Sequence, residues 1–261
     1  MPYPRFLRPR SLSDAVELLG GTSDCWPLAG GTDLMVSLHA RQLQPAALLD
    51  VWGLEELKGV REVDGAIQIG AAESYTGIIR SPLVGRHAPT LAEAARTIGA
   101  AQIQNRGTLG GNLGTASPAG DTLPVMLAAD ATVVTDRRTI PIAEYFVGYR
   151  ETALEPDELI VGVRFPRDGR RIGFRKVGTR QAQAISKVVI AVCLEPARIA
   201  VGSVAEIPLR ARTAEAALER GDREAAVEAI ADDIRPIDDV RSTAAYRRQV
   251  TQNVLRRMLT D

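Results

Sequence analysis

Three stretches of this 261-residue chain combine residue types that could hold an anionic, ring-bearing ligand. The first is Pro27-Leu28-Ala29-Gly30-Gly31-Thr32-Asp33-Leu34, set between a strand candidate and a helix candidate. Paired glycines let the backbone take positive φ and approach a ligand closely. Amides exposed at such a turn favour a phosphate. A tight turn with Thr32 or Asp33 as a helix N-cap explains the same residues without a ligand. The second stretch runs from Thr108 through Leu109, Gly110, Gly111, Asn112, Leu113, Gly114 and Thr115 to Asp121. It offers small hydrogen-bonding groups and one carboxylate, which suits a polyphosphate with a hydroxylated sugar or ring. A structural loop is the alternative, but structureless loops of this length inside a compact domain are mostly functional. Neither stretch is a Walker loop, because no Gly-Lys-Ser/Thr follows, and neither has the G-x-G-x-x-G spacing of a dinucleotide fold. The third, Phe174 to Val188, holds Lys176 and Lys187 in a chain whose only other lysine is Lys58. A lysine brings a compact charge to an anionic or carbonyl edge. A solvent-exposed strand end is the plainer explanation.

The elements that must position these stretches alternate along the first third. Ser13 is expected to cap a helix over Asp14–Leu19, ended by Gly20-Gly21. An apolar run from Asp33 to Leu38 is compatible with a helix, and 48–51 with a short buried strand. Segments 59–63 and 66–70 form a predicted hairpin around Asp64-Gly65. A helix near Leu91–Ile98 precedes a glycine-rich loop from Gly99 to Gly120. A helix over Asp121–Ala129 and strands over Ala131–Thr135 and Leu159–Phe165 follow. After Pro166 the character changes, with a turn at Asp168-Gly169, strands at Val188–Leu194 and Arg198–Val204, and helices at Thr213–Glu219, Glu224–Ile230 and Ala244–Leu259. The last helix carries Arg247, Arg248, Arg256 and Arg257, expected on a solvated or partner-facing side. The pattern is α+β.

Composition narrows the function. The 32 basic residues balance 32 acidic ones, which removes the usual electrostatic argument for nucleic-acid binding. MPYPRFLRPR has no apolar run behind it, so a signal peptide is not expected. The aliphatic run Val188–Leu194 is far shorter than the roughly 20 residues that span a bilayer. A cytoplasmic protein without a membrane span is expected. Cys25 and Cys193 are too few for an iron–sulfur cluster, which needs about four ligands. With only His39 and His87 in addition, no structural zinc site is expected. Both cysteines are expected to be small core residues.

The segments LAGGTDL, TLGGNLGTASPAGDTLP, YRETALEPDELI, KVGTRQAQAISKV and IAVGSV resemble, in this order, the FAD subunits of molybdenum hydroxylases, the xanthine dehydrogenase and CO dehydrogenase group. The resemblance runs from Tyr3 to about Leu218. It implies a two-subdomain FAD-binding domain of the vanillyl-alcohol-oxidase/PCMH type over 1–167 (subdomains about 1–57 and 58–167). A smaller C-terminal α/β domain of the CO dehydrogenase flavoprotein type would cover 168–261. It implies that Pro27, Leu28, Ala29, Gly30, Gly31, Thr32, Asp33 and Leu34 wrap the FAD pyrophosphate, and that Thr108, Gly110, Gly111, Asn112 and Thr115 complete the cradle. Asp121 matches an acidic residue that contacts FAD, Ile98 and Ile160 match apolar contacts, and Lys176 matches a lysine near the flavin. Core packing explains Ile98 and Ile160 equally well. Relatives often carry a larger side chain than Gly114 facing the flavin, which bears on the choice of electron acceptor.

No residue of this chain is expected to act as a catalytic nucleophile or acid–base pair. The resemblance implies an oxidoreductase subunit in a hetero-oligomer. Electrons would come from molybdopterin on a large subunit, across 2Fe–2S clusters on a small one, to FAD here, and on to NAD+ or another acceptor. A xanthine dehydrogenase-like complex is favoured, with CO, aldehyde and N-heterocycle dehydrogenases as alternatives. A self-contained PCMH-type flavin oxidase and an interaction subunit that has lost FAD are the rival readings.

Overall fold

A computed structural model describes residues 4–180 and 183–260. Tyr3, and Gln181 and Ala182 of the lysine-bearing stretch, lie outside the described residues.

The N-terminal part is built from β1 (Arg5–Leu7), α1 (Leu12–Gly20), β2 (Cys25–Leu28), α2 (Leu34–His39) and β3 (Ala47–Asp50). The strands form a parallel sheet in the order β1-β3-β2. Ala15 and Leu19 of α1 pack with Leu49, Val51, Leu54 and Leu57 in a small core. Ser11, not Ser13, caps α1: its hydroxyl accepts from the Asp14 amide at 3.1 Å, and the Asp14 carboxylate accepts from the Arg10 amide at 2.7 Å. Both serines precede the apolar run, but only Ser11 has an acidic residue three positions later that can bond back. Cys25 is half-buried on β2 and Cys193 is buried, so the core expectation holds fully only for Cys193.

The central part contains β4 (Val60–Val63), β5 (Ala66–Gly70), α3 (Tyr75–Arg80), α4 (Pro82–His87), α5 (Pro89–Arg96), α6 (Ala101–Arg106), α7 (Leu109–Thr115), α8 (Leu123–Ala128), β6 (Thr132–Thr135), β7 (Thr139–Pro141), α9 (Ile142–Tyr145), β8 (Phe146–Gly148), β9 (Glu151–Thr152) and β10 (Ile160–Pro166). An antiparallel sheet in the order β4-β5-β10-β6-β7 carries the expected Asp64-Gly65 turn between its first two strands, with Gly65 at φ +75°. The stretch 99–120, expected to be a loop, instead holds α6 and α7.

The C-terminal part comprises β11 (Ile172–Val177), β12 (Val188–Cys193), β13 (Arg198–Gly202), β14 (Leu209–Arg210), α10 (Arg212–Glu219), α11 (Arg223–Asp233) and α12 (Ala244–Thr260), with the antiparallel strands in that order. β12 is apolar throughout because both of its faces are covered. Val188, Ile190 and Val192 join the core under the C-terminal helices, while Val189 and Ala191 join the central core. Successive side chains of a strand point to opposite faces, so a continuous apolar run marks a strand between two layers. At the edge of this junction, Asp130 pairs with Arg170 at 2.9 Å, Arg198 at 2.9 Å and Arg210 at 2.8 Å. Arg247 departs from the expected solvated face of α12. It is buried and donates to the Ser203 carbonyl at 2.8 Å and to Asp239. Among the described residues no helix is long and apolar enough to cross a membrane.

Candidate functional site

The Gly30 turn leaves the carboxyl end of a parallel strand and enters a helix, where open α/β sheets place ligands. Gly31 stands at φ +75°, a conformation that L side chains resist, so the turn requires glycine there. The amides of Gly30, Gly31, Thr32 and Asp33 donate to no acceptor among the described residues. Unsatisfied, neighbouring amides at a turn form an anion-binding concavity. Asp33 stands at the N-cap position of α2, but its side chain makes no capping bond. Its carboxylate instead accepts from the Thr115 hydroxyl at 3.4 Å and from Arg150 at 3.4 Å. The N-cap alternative is therefore met in position only.

α7 carries Gly110, Gly111 and Gly114 in a seven-residue helix. Glycine costs a helix about 1 kcal/mol per position, so local propensity argues against one here. Tertiary bonds overrule it. The Thr108 hydroxyl accepts from the Gly111 amide at 2.9 Å, the Leu109 amide donates to Glu73 at 3.3 Å, and the Gly110 amide donates to Ala71 at 2.9 Å. Gly110 is a glycine because a Cβ there would stand 2.6 Å from the Ala71 carbonyl oxygen. These amides are spent inside the protein. The free donors thus lie on the Gly30 turn, and the second stretch supplies a surface on which Gly111 and Gly114 are exposed. Removing the Thr108 hydroxyl should lower the melting temperature by roughly 2–4 °C, from about 1 kcal/mol of lost capping. Thermal unfolding of Thr108→Ala checks this.

The two glycine stretches meet. A Cβ at Gly30 would fall 1.6 Å from the Arg106 carbonyl oxygen, just before the Gly107-Thr108 start of α7, and the Thr115–Asp33 bond links their far ends. The Arg106 guanidinium lies 4.0 Å over the Trp52 ring, which steadies the contacting turn. Neither Trp52 nor Arg106 was legible as part of the site. Each looks like an isolated surface residue until α6 turns Arg106 towards the end of β3.

Lys176 and Asp121 are also brought together, at 2.6 Å and nearly out of solvent. Lys176 donates further to the Thr97 carbonyl at 3.0 Å. This overturns the solvent-exposed strand end for Lys176. Burial pushes the Asp121 carboxyl up from its ordinary range, while the Lys176 ammonium pulls it back. Its Oδ1 is buried and accepts no hydrogen bond at bonding distance among the described residues, a costly state for a carboxylate unless a ligand completes it. The Asn112 carbonyl oxygen accepts from Thr122 at 2.5 Å, which fixes the amide orientation. Ile98 packs half-buried against the central core, adjacent to Thr97, and Ile160 is buried on β10, the strand against which α7 packs.

Free amides on one side and an uncompensated carboxylate oxygen on the other fit a ligand with both a diphosphate and hydroxyl or ring N–H donors. FAD has these groups. Such a site on this two-part sheet architecture fits the class of proteins that hold a dinucleotide cofactor. Residues 3–168 match the FAD binding domain in molybdopterin dehydrogenase, and 174–261 match the CO dehydrogenase flavoprotein C-terminal domain. The chain is 32% identical to the nicotine 6-hydroxylase medium subunit of Paenarthrobacter nicotinovorans, over 100% of this chain and 98% of that protein. It is 29% identical to the putative xanthine dehydrogenase FAD-binding subunit of Escherichia coli, over 99% and 96%. A carbon monoxide dehydrogenase from Hydrogenophaga pseudoflava that lacks the Mo-pyranopterin moiety of its cofactor superimposes with a TM-score of 0.94 at 33% identity, over 99% of this chain and 96% of that chain. The chain belongs to the FAD-binding medium subunits of the molybdenum hydroxylase family.

Proposed function

We propose that this chain is the electron-transfer subunit of a cytoplasmic, xanthine dehydrogenase-type complex, receiving electrons from 2Fe–2S clusters on a small partner subunit and delivering them to NAD+. Molybdopterin sits on a large partner subunit, where substrate is oxidised. The observation that supports this reading is the meeting of the two glycine stretches, the second of which leads into the buried Asp121. FAD, when bound, supplies the redox chemistry, and the protein holds and tunes it. The Gly30–Asp33 amides hold the diphosphate, and Gly30, Gly31 and Thr32 keep that turn open. Asn112 and Thr115 present side-chain hydrogen-bonding groups from α7. Asp121 accepts from a ligand donor, and Lys176 pulls that carboxyl towards its charged form against its burial. Ile98 and Ile160 close the apolar side.

The xanthine assignment rests on the likeness of the 176–188 stretch to xanthine dehydrogenase-type members, and NAD+ is the acceptor that goes with that type. The test is co-expression with its small and large partners. Xanthine should then bleach the flavin absorption and NAD+ restore it. A complex that responds to nicotine, an aldehyde or CO and not to xanthine overturns the substrate. A complex restored only by an artificial dye overturns the acceptor. The isolated chain, reconstituted with FAD and then denatured, should release the flavin. Flavin retained on the polypeptide would favour a self-contained oxidase.

A further inference from the structure

Ser186 has no part in the cradle described so far, yet it is fully buried and touches the polypeptide that leads into Asp121. Its hydroxyl donates to the Ala119 carbonyl at 3.3 Å and lies 2.9 Å from the Ser203 hydroxyl. Ser203 in turn donates its amide to the Pro118 carbonyl at 2.7 Å, and its own carbonyl is gripped by Arg247 at 2.8 Å. Segment 118–121 of the central part is thus fastened from the C-terminal sheet by two serines, with α12 bracing the second. The fastening has a close fit: a Cβ at Gly202 would stand 3.1 Å from the Pro118 carbonyl oxygen.

A serine hydroxyl has one proton to donate. That of Ser186 can go to the Ala119 carbonyl or to the Ser203 hydroxyl, and the same hydroxyl favours the charged form of the Asp121 carboxyl two residues beyond Ala119. The 3.3 Å bond to Ala119 is long for an O–H···O contact, so it holds the hydroxyl weakly. Hydrogen bonds to a charged acceptor are the stronger kind. The Ser186 hydroxyl accordingly joins Lys176 in pulling the Asp121 carboxyl down against its burial.

We infer that Ser186 is a positioning residue of the cofactor site: with Ser203 it fastens segment 118–121 and aims the Asp121 carboxylate at the bound flavin nucleotide. This rests on the reading of Asp121 as a cofactor contact. It gives the C-terminal domain, which contributes neither glycine stretch, a direct part in the geometry of the site. The titratable groups that face Asp121 are Lys176, from β11, and the buried Tyr75, from α3. Neither changes in the variants below.

The test uses the full chain and FAD, with affinity read from quenching of flavin fluorescence across a pH series. Ser186→Ala should weaken FAD binding about tenfold, the low end of what one hydrogen bond to a charged group is worth. The pH at which affinity changes should also move upward, because Asp121 loses a group that favours its charged form. Ser203→Ala should do the same to a smaller degree, and Ser186→Thr, which keeps the hydroxyl, should restore the wild-type pH position. A Ser186→Ala protein with wild-type affinity and pH profile overturns the inference. So does one whose melting temperature falls while the pH position stays fixed, since that is a packing role alone. If Ser186→Ala does not fold, Ser203→Ala decides, and an unchanged profile there overturns it equally. A wild-type chain that binds no FAD at all would instead remove the cofactor reading on which the inference stands.

Discussion

Replacing Gly30 by Ala is expected to weaken FAD binding about a hundredfold, because it draws the turn's amides away from a charged diphosphate and each such hydrogen bond is worth about 1.5–3 kcal/mol. The added Cβ would lie 1.6 Å from the Arg106 carbonyl oxygen, 2.4 Å from its carbonyl carbon and 3.1 Å from the Gly107 nitrogen. All three are backbone atoms, so no side chain can swing aside. Restoring a normal contact means separating the two glycine stretches by roughly 1.5 Å. The amides of the Gly30 turn would then no longer face the surface of α7. Overpacking of this kind costs about 1–3 kcal/mol, which a domain of this size tolerates, so the variant should fold. Gly85→Ala is the contrast. Gly85 lies in α4 with nothing within 4 Å of its Cβ, and the substitution should leave FAD affinity unchanged while adding up to about 1 kcal/mol of helix stability. Fluorescence titration of both variants with FAD checks the pair. Wild-type affinity in Gly30→Ala would mean that the junction of the stretches does not hold the cofactor.

That junction also shows where sequence reasoning succeeds. Gly30-Gly31 and the Thr108–Asp121 stretch stand out because glycine runs flanked by apolar elements have few causes. The sequence does not say that the two glycines serve different ends. Gly31 supplies a positive φ, whereas Gly30 is absent from the positive-φ residues and supplies space for Arg106. Strands such as β12 are legible from composition because burial on both faces leaves no room for polar residues. The helix over 109–115 is hidden because its stability comes from Ala71 and Glu73, which lie far away in sequence. Arg247 is hidden for a related reason. A buried arginine has the same letter as a solvated one, and only the Ser203 carbonyl and Asp239 distinguish it. Lys176 stands out in the sequence because lysine is scarce here, but its partner is fixed only by the fold, which lays β11 beside the 118–121 segment.

Lys176→Met should be the most destabilising single change at the site. It leaves Asp121 as a buried carboxylate without its cation, and breaking a buried pair from one side costs about 3–5 kcal/mol. A melting temperature lower by roughly 10 °C is expected near neutral pH. The pH dependence follows from the direction of the Asp121 shift. Burial already raises its carboxyl above the ordinary range, and Lys176 is the main opposing influence. Removing Lys176 raises it further. A carboxyl whose folded-state pKa lies above its unfolded one favours folding most below the unfolded value, and that contribution is lost as pH rises through the folded value. The gap between variant and wild type should therefore be widest near neutrality and narrow as the solution is acidified towards the ordinary aspartate range, about pH 4. The double variant Asp121→Asn with Lys176→Met should regain much of the melting temperature, because no unpaired charge is left behind. It should not regain FAD affinity, because the acceptor oxygen aimed at the ligand has been replaced by an amide and its neighbouring cation is gone. Melting curves and FAD titrations across pH separate these outcomes. A gap that stays constant with pH would show that the Lys176 contribution is packing of its aliphatic stem rather than charge.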